Sequence, residues 1–154
     1  MQAMAAHFDR DDEAGLGYSK FFSQAAEGKR TLAESLIQYQ NRRGGRVVFQ
    51  AISRPSNMAW DSPLAAFQEA LEQEKTVRPK RILIYFNRIT LQVNESLLST
   101  HRMADGDPHL CDFLEDKFLG GQVDTIREVS TWITKLRRVG AGLGYHIIDT
   151  EVTA

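Results

Sequence analysis

The sequence has a single cysteine, Cys111, and four prolines among its 154 residues. One thiol excludes an internal disulfide framework and a cysteine-cluster metal site, and it fits a reducing compartment, so the cytosol is the expected location. An excess of charge is also missing: 19 Lys and Arg stand against 20 Asp and Glu, a net charge of −1. Neither the basic footprint of a nucleic-acid binder nor a strongly acidic tail is present. No apolar run approaches the ~20 residues of a membrane span, and the opening MQAMAAHFDRDDEAG has no long apolar stretch before a cleavage site. What remains is a water-soluble chain of one domain's size, 1–154, with 42% hydrophobic residues to fill a core.

Helical periodicity dominates what is there. From Gly17 to Arg43 the apolar residues Tyr18, Phe21, Phe22, Ala25, Leu32, Leu36 and Tyr39 recur at spacings of three and four, one stripe along a helix of about seven turns. Gly44 and Gly45 stop it. The stretch VVFQAISRPSNMAWDSP has no helical period and reads as an extended connection whose apolar residues lie along a helical surface. Ser62-Pro63 opens a second helix and Asp107-Pro108 a third, each a capping side chain followed by proline at the first helical position. The third is expected to reach about Arg138, weakened at Gly120-Gly121 by ~1 kcal/mol per glycine. A short helix over Tyr145–Val152 follows. This is an all-α pattern, a bundle whose ligand sites are made by inward side chains on facing helices.

One segment breaks the pattern. Residues 78–93, RPKRILIYFNRITLQV, hold Pro79 and a β-branched run that reads as a strand, yet no second strand exists to pair with it and a lone strand is unstable. Pro79 inside a continuous helix would cost ~3 kcal/mol or more. The codons offer an account. Val-Arg can be written GTAAGA, a splice-donor pattern, and Leu-Gln TTGCAG, an acceptor pattern. Residues 77–92 then read as a short intron translated in frame, with Val93 opening the next exon. The segment is expected to loop out of the bundle or to split a helix.

Several strings in order, FDRDD at 8–12, QNRRGGRVVFQ at 40–50, ALEQEK at 70–75, DPHLCDFLE at 107–115 and LRRV before a glycine-rich bend, resemble the animal-type ferritins over residues 1–77 and 94 to about 148. The resemblance implies a four-helix bundle with a long crossover and a short fifth helix, assembled from 24 subunits, alike or mixed, into a hollow shell that stores ferric iron. It also implies that the chain begins inside the first bundle helix, which FDRDD would end. Removing the sixteen residues 78–93 would join ALEQEKTV to NESLLSTHRMA as one continuous third helix.

Catalytic members oxidise Fe(II) to Fe(III) at paired irons held by carboxylates and a histidine, hard ligands that favour the ferric state. By the resemblance, the Glu and His of the expected Glu-x-x-His pair fall on Lys29 and Leu32, while Glu74 and Gln122 match the remaining metal positions. Lys29 also falls on the apolar stripe, where a lysine is costly unless paired. Light-chain-like members place a lysine there, so an internal Lys29–Glu74 ion pair in place of metal is expected, with an incomplete oxidation centre and no catalytic residue.

The resemblance further assigns His101, Asp112 and Glu115 to a threefold iron-entry channel, in which three copies would give six carboxylates. The plain alternative for Asp112 and Glu115 is first-turn acids favoured by the helix dipole. Glu27 and Glu34 remain of a mineral-nucleating patch that is thinned by Gly28 and Thr31, and solvated surface is the better account of them. Cys111, His7 and His146 read as structural or surface residues. Three functions stay open: a storage subunit of light-chain character, an Fe(II)-oxidising enzyme with substitute ligands such as Glu27 or Glu34, and a defective product that does not assemble because an apolar core face is uncovered.

Overall fold

Helix starts and stops follow the local chemistry. The computed structural model describes residues 1–49, 51, 55, 57–76, 107–114, 116–117 and 120–153. Among them are six helices and no strand: α1 Gln2–Phe8, α2 Leu16–Arg42, α3 Pro63–Thr76, α4 Pro108–Leu114, α5 Gly120–Val139 and α6 Leu143–Glu151. Ser62 Oγ accepts the Ala65 N–H at 3.2 Å and opens α3. Asp107 Oδ1 does the same for Leu110 at 3.1 Å and opens α4. At the end of α2, Gly44 takes φ 78°, a left-handed conformation that costs glycine nothing, and the Gly45 N–H reaches back to Gln40 O at 3.0 Å. None of the helices is long and apolar enough to cross a membrane.

The start of α2 is capped from far away in sequence. Asp149 of α6 accepts the Tyr18 N–H at 2.9 Å, which satisfies one of the orphan donors of that helix end. The Tyr18 hydroxyl donates to Tyr145 O. Burial pushes the Tyr18 phenol pKa up. So close is α6 to α2 that a Cβ on Gly17 would stand 1.8 Å from Asp149 O.

The apolar stripe of α2 and the inner face of α3 meet in an aromatic core. Phe22 and Phe67 have centroids 4.8 Å apart, and Phe8 stacks on Phe22 at 5.9 Å. Trp60, Ala66, Ala70, Val129, Ile133, Leu136 and Ile148 complete the same cluster. Helix α1 packs on α2, α3 on α5, and α6 on both α2 and α5. This is an all-α helical bundle, the architecture expected from the periodicity.

Of the helix expected from Pro108 to about Arg138, the described residues show α-helix over Pro108–Leu114 and Gly120–Val139 and a π-type turn at Asp116 and Lys117. One expectation changes. The connection between α2 and α3 does not lay all its apolar residues on a helix. Trp60 is buried, but Val48 is 64%, Phe49 81% and Met58 50% exposed. Residues 78–93 lie outside the described residues.

Candidate functional site

Three helices converge on one buried glutamate. Glu74, in the last turn of α3, is 2% exposed. Lys29 Nζ from α2 donates to Glu74 Oε2 at 2.7 Å, and the lysine side chain is 39% exposed. Helical periodicity puts Lys29 on the face of Phe22, Ala25 and Leu32, so its stem lies along apolar surface while its head reaches the carboxylate. Gln122 from α5 donates to the Glu74 backbone carbonyl at 2.8 Å. An ionised carboxylate taken out of water costs several kcal/mol, and a charged, hydrogen-bonded partner is what offsets it.

The chemistry of this arrangement is that of a closed ion pair. An ammonium has three donors and no lone pair, so Lys29 in this state cannot ligate a cation. Leu32 offers no donor atom. Among the described residues, no three His, Cys, Asp or Glu side chains come together as a metal-ion site. Beside the pair opens a cleft of about 340 Å³ lined by Met1, Phe21, Ala25, Leu32, Gln122 and Val129.

Of the three channel candidates, only Asp112 is described, exposed on α4. His101 and Glu115 lie outside the described residues. What the sequence reading missed is how α4 is anchored. Arg43, just past the end of α2, forms an ion pair with Asp107, and the guanidinium's hydrogen bond holds the Asp107 carboxyl below its ordinary pKa. Tyr39 OH and His109 Nδ1 stand 3.0 Å apart, and the Tyr39 ring stacks on Phe113 at 4.2 Å. The available signal was Tyr39 and Arg43 four apart, one helical turn, at the end of α2.

Glu27 and Glu34 are exposed on α2, and Arg30 stands 3.3 Å from the Glu27 carboxylate, a cation inside the thin acidic patch. His7 is buried, its Nε2 donating to Trp60 O at 3.0 Å. His146 is exposed on α6. The Cys111 side chain lies outside the described residues. Leu143 and Ile147, one turn apart on α6, are 74% and 51% exposed.

Helices joined by a long connection, with facing side chains meeting over one carboxylate, define the ferritin-like class of bundles. The family model for the ferritin-like domain matches residues 1–80. Soma ferritin of Lymnaea stagnalis is 44% identical over 152 residues, covering 97% of this chain and 78% of that protein. Ferritin heavy chain of Echinococcus granulosus is 41% identical over 151 residues, with 97% and 78% covered. The middle subunit ferritin of Aquarana catesbeiana is 40% identical over 152 residues, with 96% and 77% covered. The chain belongs to the ferritin family.

Proposed function

We propose that this chain is an iron-storage subunit that contributes wall and entry path to a hollow shell and does not itself oxidise Fe(II) rapidly. The observation that carries the reading is the Lys29–Glu74 contact. A positive charge occupies the place where the family's resemblance calls for a ligand, and it neutralises the one buried carboxylate described there. Without a set of convergent oxygen and nitrogen donors, a pair of irons has nothing to hold it during electron transfer.

The partners are other ferritin subunits, in a shell of 24 that is homo-oligomeric or mixed with oxidising chains, and the cargo is iron, entering as Fe²⁺ and stored as Fe³⁺. Exposed Phe49 and Val48 in the connection, with Leu143 and Ile147 on α6, support association, because apolar side chains left in water at this level mark contact surfaces. His101, Asp112 and Glu115 serve as the entry path, with α4 held in place by the Arg43–Asp107 pair. Glu27 and Glu34 are at most a weak nucleation point, since Arg30 offsets Glu27. The compartment is the cytosol, on the strength of the single cysteine.

The open cleft beside Lys29, where Phe21, Leu32 and Val129 line the same space as Lys117, Gln122 and Glu128, favours a second reading, in which the chain associates without closing a shell. Native mass spectrometry separates the two: a species of hundreds of kilodaltons of defined mass supports the shell, and heterogeneous aggregate or monomer supports the alternative. Stopped-flow Fe(II) oxidation tests the first claim. A slow, unsaturable rate is expected, and a rapid phase saturating with iron would overturn it.

A further inference from the structure

We propose that His7 is a pH-sensitive clasp: the neutral ring pins α1 to the connection that leads into α3, and mild acid releases it. The residue is 4% exposed. Its Nε2 stands 3.0 Å from Trp60 O, and a carbonyl oxygen only accepts, so Nε2 carries the ring hydrogen. In the neutral ring Nδ1 is then a bare acceptor. That atom is buried and has no hydrogen-bond partner among the described residues.

The clasp joins segments far apart in sequence. His7 meets the Trp60 indole edge to face, with centroids 5.4 Å apart, and Phe8 in the same manner at 5.0 Å. Trp60 is buried as well, and its Nε1 donates to Glu69 Oε2 of α3 at 2.7 Å. One imidazole N–H therefore ties α1 to a tryptophan that is itself tied to α3.

A second proton has no place in this arrangement. It would go to Nδ1 and create a buried N–H with nothing to accept it, which costs the closed state the full desolvation of that group. The charges around the ring pull the other way. Glu13 Oε1 is 3.6 Å from Nε2, Asp12 is near enough to feel the ring, Glu69 lies beyond the indole, and the end of α1 favours a cation weakly. None of the three carboxylates hydrogen-bonds Nδ1. The Glu13 side chain is 37% exposed and Asp12 is paired with Arg10, so water and a guanidinium screen the two nearest. A ring turned out to solvent has its second proton hydrated, and acid therefore favours the open clasp.

Hydrogen exchange of the full chain, corrected for the intrinsic rate at each pH, tests this by following residues 5–9 against α5 as the internal reference. A histidine in water takes up its proton at about pH 6.5, and one proton bound per opening raises the open fraction about tenfold per pH unit below that value. At about pH 5.5 the α1 amides should exchange about tenfold faster, relative to α5, than at about pH 7.5. His7→Gln keeps an N–H for Trp60 O and cannot titrate, so its ratio should not change with pH. An α1 ratio that is the same at both pH values in the parent, or slower in acid because the carboxylates hold the charged ring in place, would overturn the clasp. The same acid response in His7→Gln would assign it to another group and overturn it equally. Should His7→Gln not fold, Glu13→Gln decides: with the carboxylate beside Nε2 removed, the acid response should persist or grow, and its loss would refute the proposal.

Discussion

Removing the cation from the Lys29–Glu74 contact is the sharpest test of what the site is. Lys29→Met keeps the aliphatic stem along α2 and deletes the ammonium, leaving Glu74, 2% exposed, without its charge partner. Breaking a fully buried pair this way costs about 3–5 kcal/mol. Because the Lys29 side chain is 39% exposed, water screens part of the interaction and the expected loss is about 2–3 kcal/mol. In a chain of this length that lowers the melting temperature by about 5–10 °C, measured by calorimetry at one fixed protein concentration so that association does not enter. Lys29→Met with Glu74→Leu should recover most of the loss, since replacing both members by apolar groups is close to neutral. A single variant that melts within about 1 °C of the parent, or a double variant no better than the single, would refute the reasoning.

Gly17→Ala drives a Cβ to 1.8 Å from Asp149 O, an overpacking expected to cost about 1–3 kcal/mol, and hydrogen exchange should show α6 losing protection while α3 keeps it. The Asp107 carboxyl lies below its ordinary pKa because Arg43 hydrogen-bonds it. Its contribution is therefore present above the unfolded value of about 3.9 and lost as pH falls through the lower folded value. Amide exchange at Leu110, whose N–H Asp107 also accepts, should accelerate only in that acid range in the parent and at neutral pH in Asp107→Asn. If residues 77–92 are a translated intron, cDNA sequencing should find a transcript population lacking those sixteen codons, and their presence in every transcript would sink the idea.

Legibility in the sequence tracked how local each cause is. The starts of α3 and α4 are readable because Ser62-Pro63 and Asp107-Pro108 carry their own capping chemistry. The end of α2 was readable because Gly44 supplies a left-handed turn. The start of α2 was only approximately so: its cap, Asp149, comes from the other end of the chain, and no window around Tyr18 contains it. The exposure of Val48 and Phe49 was illegible for a related reason. Apolar residues in a connection are buried or not according to what stands opposite, and periodicity says nothing where there is no period. In the candidate site, the apolar stripe singled out Lys29 as costly, but the identity of its partner required either the fold or the resemblance. The anchor of α4 joins residues about seventy apart, Tyr39 to His109, beyond the reach of any local pattern.

The Lys29–Glu74 pair bears on fold and function at once. A buried glutamate that stays ionised in a helical bundle needs a positive charge beside it, because a carboxylate left alone there would cost the fold several kcal/mol. On the storage reading proposed above, Lys29 stands where the resemblance would place a metal ligand, and its ammonium supplies the charge that Glu74 needs. On that reading a chelator should leave the melting temperature of this subunit unchanged, and a clear fall on adding one would show that bound metal supports the site.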